Sequence, residues 1–271
     1  MRNLGAVARN SLYRGGKMKQ FIIFTKKELF ESVATFKLYI LLALFLIFGM
    51  MSPLLAKLLP EILKSMDLAG MVIELPEPSA IDSWSQFFNN VGQMGMLVLV
   101  IIFCGIMANE FSKGTLINLL TKGLSRKNVV FSKFFSATVI WLVAYLVCFG
   151  ICYAYTAYFW DDVSIRHGLL VFSAPWLFGV LLIAILMFGG TLFSNIYGSL
   201  LSCVAVVIVL NLISIIPNTA KYNPVSLTGG TLAILLESAD TSDFIPAMII
   251  CVIAIIVLIV ATIIVFNRKR I

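Results

Sequence analysis

The cysteines are the first residues whose spacing could indicate chemistry. Cys148 and Cys152 are four residues apart, so on a helix they lie on one face, one turn apart. The chain contains no close CxxC pair of the kind that favours a metal or redox site. We therefore interpret the cysteines as small packing residues, and all of them fall in apolar stretches: Cys104, Cys148, Cys152, Cys203 and Cys251.

The sequence also lacks the phosphate-binding loop GxxxxGK[ST]. An ATP site of that kind is excluded, and the chain is predicted not to be an enzyme and to bind no cofactor or metal of its own. The apolar stretches described below carry no Lys, Arg, Asp, Glu or His, so they offer no proton or cation relay of the kind found in pumps.

Residues 109–127 contain the most informative pattern, NEFSKGTLINLLTKGLSRK. Gly114 followed by Thr115 breaks a helix, and Thr115 can cap the next one. Four leucines then form an apolar stripe at helical spacing: Leu116, Leu119, Leu120 and Leu124. Gly123 suits the end of such a helix, and Ser125 can cap the helix after it. The pattern predicts a short helix whose apolar face packs either on a partner or on the chain's own bundle.

The composition indicates whether this chain folds in water or in a lipid bilayer. The chain has 271 residues, of which 61% are hydrophobic and 12% charged. Soluble domains have about 25% charged residues, so this chain cannot cover a water-exposed surface. Long continuous apolar runs favour helices, because every backbone polar group in a bilayer must find its partner within the protein. The predicted fold is an all-α integral membrane protein.

Six stretches reach the length of about 20 apolar residues that a bilayer requires. They lie near residues 38–55, 91–108, 136–155, 174–193, 198–216 and 245–266. The fourth and fifth are joined by Ser194, Asn195, Ile196 and Tyr197 alone. We expect a tight hairpin there, because one helix of about 43 residues would overshoot any bilayer. Residues 38–271 thus form a six-helix transmembrane domain.

The distribution of basic residues predicts the orientation of these spans. Sixteen of the 20 lysines and arginines lie in three segments: residues 1–37, residues 109–135 and the tail after Phe266. The opposite loops carry ten acidic residues. Because positive loops are retained in the cytoplasm, both termini are predicted to be cytoplasmic. The net charge of +7 suits anionic lipid headgroups. Aromatic residues do not alternate with these basic clusters, so no nucleic-acid partner is predicted.

Two segments precede the first span. Residues 1–17 are polar and basic, and Met18 could be a second start. We interpret residues 1–17 as either an added leader, which is favoured, or a native basic arm. No apolar stretch precedes Leu38, so a cleaved secretory signal is not predicted.

Residues 18–37 predict an amphipathic helix, with one apolar stripe and one polar face. The stripe consists of Ile22, Leu29, Val33 and Phe36, and the polar positions are Lys26, Lys27, Glu28, Glu31 and Thr35. Such a helix can lie as an elbow in the cytoplasmic membrane interface. A simple extension of the first span fits the pattern equally well.

Between the fifth and sixth spans, residues 227–236 are apolar but too short to cross a bilayer. Pro224, Gly229 and Gly230 stand at the start of this segment as helix breakers. We expect either a re-entrant or interfacial helix over the outer mouth of the protein, or an ordinary surface loop.

The chain resembles permease subunits of ATP-binding-cassette exporters of the type 2 permease class. The resemblance rests on a pattern of eight residues: Glu110, Gly114, Thr115, Leu119, Leu120, Ser125, Arg126 and Lys133. It extends from Phe21 to Arg270 through the elbow helix, the six spans and the long external segment. The family often has a proline shortly before the Ser-Arg pair, where this chain has Gly123 and Leu124.

The resemblance implies that the connection after the second span is a coupling helix that docks on an ATPase subunit. The docking residues would be Glu110, Gly114, Thr115, Leu116, Leu119 and Leu120. Glu110 would help to hold the loop through Lys113 or a basic group on the partner. Two ATPase subunits per complex would bind ATP and Mg, and a second permease subunit, identical or paralogous, would complete the pathway in a bacterial cell membrane.

Spans that are uncharged and rich in Phe, Met, Leu and Ile favour an apolar or amphipathic cargo. Within the family this suits a peptide toxin or antimicrobial peptide, which is our preferred cargo, or a drug or lipid. The alternatives are a channel, although nothing resembles a selectivity filter, and a membrane sensor or assembly protein whose basic loops dock a cytoplasmic partner.

Overall fold

The computed structural model describes residues 17–65, 77–112, 114, 125–161, 168–216, 219–235 and 244–269. These residues form helices and turns and no strands. The helices are α1 (Lys17–Ala34), α2 (Lys37–Ser65), α3 (Ala80–Asn90), α4 (Met96–Phe103), α5 (Ala108–Ser112), α6 (Arg126–Phe159), α7 (Gly168–Phe193), α8 (Ile196–Ser214), α9 (Ser226–Gly229), α10 (Thr231–Leu235) and α11 (Ile245–Arg268). A π-helical turn, Val91–Gly95, joins α3 to α4.

Six helical segments of the described chain are long and apolar enough to cross a membrane. They are Lys37–Ile62, Ala80–Ser112, Arg126–Phe159, Gly168–Phe193, Ile196–Ser214 and Ile245–Arg268, and we number them spans 1 to 6. Span 2 thus combines α3, the π-helical turn, α4 and α5. The prediction of an all-α, multi-pass membrane protein is confirmed.

Several helices extend beyond the apolar windows that the sequence marks. Helix α6 starts at Arg126, where the Ser125 side chain accepts a hydrogen bond of 3.2 Å from the Asn128 backbone, as the sequence predicted. Helix α2 continues through Pro53 and Pro60 to Ser65. Hydropathy locates the part of a helix that matches the hydrocarbon core, whereas caps decide where backbone hydrogen bonding begins and ends.

Helix α7 forms the centre of the bundle. It packs against α6, α8 and α11, and residues 178–187 along it are almost all buried. One aromatic cluster lies beside its start, where Phe172 contacts Trp84, Phe87 and Phe149 with ring centroids 4.5–5.9 Å apart. Helix α8, in contrast, packs chiefly on α7 and leaves most of its apolar surface exposed.

The connection between α7 and α8 is the tight hairpin that the sequence predicted. Ser194 adopts a left-handed φ of 59°, and the Asn195 side chain caps α8 by accepting a hydrogen bond of 2.5 Å from the Gly198 backbone. Ser199 Oγ donates to the Leu186 carbonyl across the hairpin at 2.8 Å. These bonds exclude one continuous helix.

The segment before the last span contains two short helices, α9 and α10. Leu227 in α9 is fully buried, and α9 packs on α7. Asn223 Nδ2 donates to the Leu210 carbonyl and to Ser214 Oγ, both at 2.6 Å, which ties the segment to the end of α8. Its re-entrant or interfacial position stays a prediction.

Close helix packing makes Gly179 a sensitive position. A Cβ atom there would lie 2.4 Å from Trp141 Nε1, whereas a Cβ at Gly150 would meet nothing within 4 Å. We expect Gly179→Ala to lower the free energy of unfolding by about 1–3 kcal/mol because of overpacking. Gly150→Ala should be neutral or slightly stabilising, because alanine favours helix by about 1 kcal/mol over glycine. Thermal unfolding in detergent measures both variants, and equal stability of the two would contradict the packing argument.

Candidate functional site

At one end of the bundle, α1 lies against the start of α6. Ser132 Oγ and Ser136 Oγ donate to the carbonyls of Phe21 and Thr25 at 3.3 and 3.4 Å. The side of α1 that faces α6 buries Phe24, Thr25 and Glu28, whereas Ile22 and Phe36 of the predicted apolar stripe are exposed. Glu28, which the sequence placed on the polar face of an amphipathic helix, therefore points into the protein.

A buried ion-pair cluster joins three elements at this end. Lys133 Nζ of α6 donates to Glu28 Oε2 of α1 at 2.8 Å and to Glu110 Oε1 of α5 at 2.9 Å. The Lys133 side chain is 3% exposed, and those of Glu28 and Glu110 are 10% and 8% exposed. Buried charges persist only when they are paired and hydrogen-bonded. We call Glu28, Glu110 and Lys133 the charged junction.

Lys27 supplies a second cation beside the charged junction. Its Nζ lies 3.0 Å from Glu28, 3.9 Å from Glu110 and 2.5 Å from Glu31, which is four residues further along α1. Burial alone lowers the pKa of Lys27, but the three carboxylates outweigh burial and raise the pKa above its ordinary value. Lys27 therefore stays protonated at neutral pH.

The same three glutamates could in principle hold a cation. One carboxylate oxygen from each of Glu28, Glu31 and Glu110 lies within 4.8 Å of the others. The ammonium groups of Lys27 and Lys133 already stand among these oxygens. With two of the three negative charges compensated, the group is best described as an ion-pair network.

The structure describes two of the six predicted docking residues. Glu110 lies in α5, and Gly114 adopts a left-handed φ of 62°, which ends the helix as the sequence predicted. Thr115, Leu116, Leu119 and Leu120 lie outside the described residues, as does Lys113. A buried partner of Glu110 is Lys133, which sequence reasoning had included only through the family resemblance.

Both flanks of the predicted coupling segment contact the end of α11. On the near side, the Phe111 ring meets Phe266 edge to face with centroids 5.6 Å apart. On the far side, Arg126 Nη1 donates to the backbone carbonyls of Phe266, Asn267 and Lys269. The described residues on both sides of segment 113–124 thus belong to a platform formed by α1, α5, α6 and α11.

A second feature, a crevice of about 400 Å³, lies between span 2 and α8. Gly92 and Gln93 of the π-helical turn line one side, and Asn211 of α8 and Thr228 of α9 line the other. Gln93 and Asn211 are exposed, and amide groups are costly within a bilayer unless they meet polar partners. π-Helical turns occur frequently at functional sites. The sequence analysis did not single out these residues.

Comparisons with known proteins identify one distant relative. The chain is 22% identical over 230 residues to the uncharacterized transmembrane protein YxlG of Bacillus subtilis (strain 168), an alignment that covers 84% of this chain and 89% of that protein. No family model matches the chain. The similarity agrees with a membrane protein that has several transmembrane helices.

Proposed function

We propose that this chain is the transmembrane subunit of an ATP-driven exporter of the ATP-binding-cassette type. The charged junction is the observation that carries the proposal. It links the helix before span 1, the end of span 2 and the start of span 3 around segment 113–124. A partner that moves this segment would therefore act on three elements at once, which is what a coupling helix requires.

The energy source is proposed to lie in a separate subunit. The sequence contains no phosphate-binding loop, so ATP and Mg would be bound by two ATPase subunits docked on segment 113–124. The basic residues concentrate at the end of the bundle that carries the charged junction. This distribution supports a cytoplasmic location for that end and for both termini, in a bacterial cell membrane.

The translocation pathway is proposed to run along span 2 and α8. Gln93 and Asn211 line the crevice there, and α8 leaves its apolar surface uncovered within this chain. A second permease subunit, identical or paralogous, would cover this face. Mostly apolar walls with a few amides suit a hydrophobic or amphipathic cargo, and a peptide toxin or antimicrobial peptide remains our preferred cargo.

ATP turnover tests the proposal directly. We expect the purified chain alone to hydrolyse no ATP, because it has no phosphate-binding loop. Co-expression with its partner ATPase should give a complex whose turnover depends on this chain and rises with cargo. The matched control is the same ATPase with its phosphate-loop lysine replaced.

Two outcomes would contradict the proposal. Turnover by the homogeneous chain alone would overturn the two-subunit scheme. If no ATPase forms a complex with this chain, the favoured function becomes a membrane sensor or assembly protein.

A further inference from the structure

A cavity of about 390 Å³ opens beside the charged junction. It is bounded by α1, the first residue of α2, the end of span 2 and α6. Its volume equals roughly a dozen liquid water molecules, since each occupies about 30 Å³. A polar headgroup of about ten heavy atoms fits within such a space.

The charges that line this cavity balance. Three carboxylates, those of Glu28, Glu31 and Glu110, surround the two ammonium groups of Lys27 and Lys133, which leaves one negative charge in excess. Lys37 lines the same cavity, and its ammonium group makes no hydrogen bond or ion pair with the parts of the chain that the structure describes. The site therefore presents one excess negative charge and one cation, Lys37, that forms no ion pair.

Apolar residues line the rest of the cavity: Phe103, Ile106, Ala137 and Ile140. Lys37 is the first residue of span 1, which places the cavity where a bilayer changes from headgroups to hydrocarbon. A ligand that matches this site carries an ammonium group, a phosphate and an apolar remainder. Water-soluble zwitterions lack the apolar part, and anionic lipids without an amine lack the ammonium.

We infer that this cavity binds the headgroup of a phosphatidylethanolamine molecule of the surrounding bilayer. Its ammonium group donates to the carboxylates of Glu31 and Glu28, and its phosphate accepts from Lys37. The glycerol and the first acyl carbons contact the apolar lining. A primary ammonium donates three hydrogen bonds, whereas the choline headgroup donates none, so the site distinguishes the two zwitterionic lipids.

Native mass spectrometry of the purified chain, titrated with defined lipids in detergent, measures this binding. We expect palmitoyl-oleoyl phosphatidylethanolamine to bind about tenfold more tightly than the phosphatidylcholine and phosphatidylglycerol with the same acyl chains. Neither of these headgroups has an ammonium N–H that can donate a charge-assisted hydrogen bond to the glutamates. Soluble phosphoethanolamine should not displace the lipid. Equal affinity for the three lipids, or displacement by the soluble headgroup, would overturn the inference.

Three variants test the residues. Glu31→Gln should abolish the preference for phosphatidylethanolamine, whereas Lys37→Gln should weaken the binding of all three lipids alike, because each of them carries the phosphate. Lys26→Gln is the matched control, because Lys26 is an exposed lysine of α1 that does not line the cavity, and it should retain the preference. Circular dichroism shows whether each variant is folded. A folded Lys37→Gln variant that bound the three lipids as tightly as the unaltered chain would contradict the assigned phosphate contact, and this result does not depend on the exporter proposal.

Discussion

Replacing Lys133 by methionine should cause the largest loss of stability of any single substitution at the charged junction. Lys133→Met removes the ammonium that neutralises two buried carboxylates, at 2.8 Å from Glu28 and 2.9 Å from Glu110. Removing one partner of a buried ion pair costs about 3–5 kcal/mol. We expect a value near the lower end, about 3 kcal/mol, because Lys27 still reaches Glu28. Thermal or denaturant unfolding in detergent measures the change.

Two controls separate charge from packing. Lys127→Met alters an exposed lysine of the same helix and should change stability little. The triple variant Glu28→Met, Glu110→Met and Lys133→Met removes all the buried charges of the junction together, and buried ion pairs can often be replaced by apolar residues without loss. It should be more stable than Lys133→Met alone. If the single and triple variants unfold alike, Lys133 is not there to neutralise the two glutamates.

The triple variant also addresses function. It should keep the fold, yet it replaces the directional hydrogen bonds between α1, α5 and α6 with adaptable side chains. If the charged junction transmits movement from a partner, transport-linked ATP turnover should fall in this variant although the ATPase stays bound. Unchanged turnover would show that the charged junction stabilises the fold but does not transmit movement.

The sequence predicted the six spans because each bilayer crossing demands a long apolar run, and no tertiary information is needed to recognise one. Local signals were equally readable: Ser125 caps α6, and Gly114 ends α5 in a left-handed conformation. The continuation of α6 beyond residue 155 to Phe159 could not be predicted in this way. Outside the hydrocarbon core, polar residues continue a helix as readily as they end it.

The charged junction shows where sequence reasoning stopped. Glu28 and Glu110 are 82 residues apart along the chain, and Glu110 and Lys133 are 23 apart. Only the tertiary arrangement of α1, α5 and α6 brings the three side chains together. The polar pattern of α1 gave Glu28 the same appearance as the exposed Glu31 and Lys26. One signal was available, because Lys133 lies three residues before a charge-free apolar stretch, where an unpaired lysine would be costly.

Composition could not predict the residues of the crevice either. Asn211 is a single amide in an apolar stretch, whereas Gln93 follows Asn89 and Asn90 at a polar start of an apolar run. Hydropathy averaged over a window hides both. Their common position depends on α8 folding back on α7 through the Ser194 hairpin. The π-helical turn that presents Gln93 has no residue signature in this sequence.

The predicted coupling segment should fail as a docking site when its apolar stripe is charged. We expect the double variant Leu116→Asp and Leu120→Asp to release the ATPase, because each buried leucine contributes about 1.5–3 kcal/mol at most and an unpaired charge would enter the contact instead. Two leucines correspond to a loss of roughly 10²- to 10⁴-fold in affinity, less the cost of ordering the segment.

Co-purification with the ATPase and transport-linked turnover are the measurements for this variant. Asn118→Asp is the matched control, because a helix over this segment would turn residue 118 away from residues 116 and 120. The control adds one charge to the polar side and should leave the complex intact. Both variants should insert in the membrane, since neither alters a span. Because the charged junction and the caps at Ser125 and Gly114 lie outside the substituted positions, a folded double Asp variant that still recovers the full complex with normal turnover would show that the ATPase docks elsewhere.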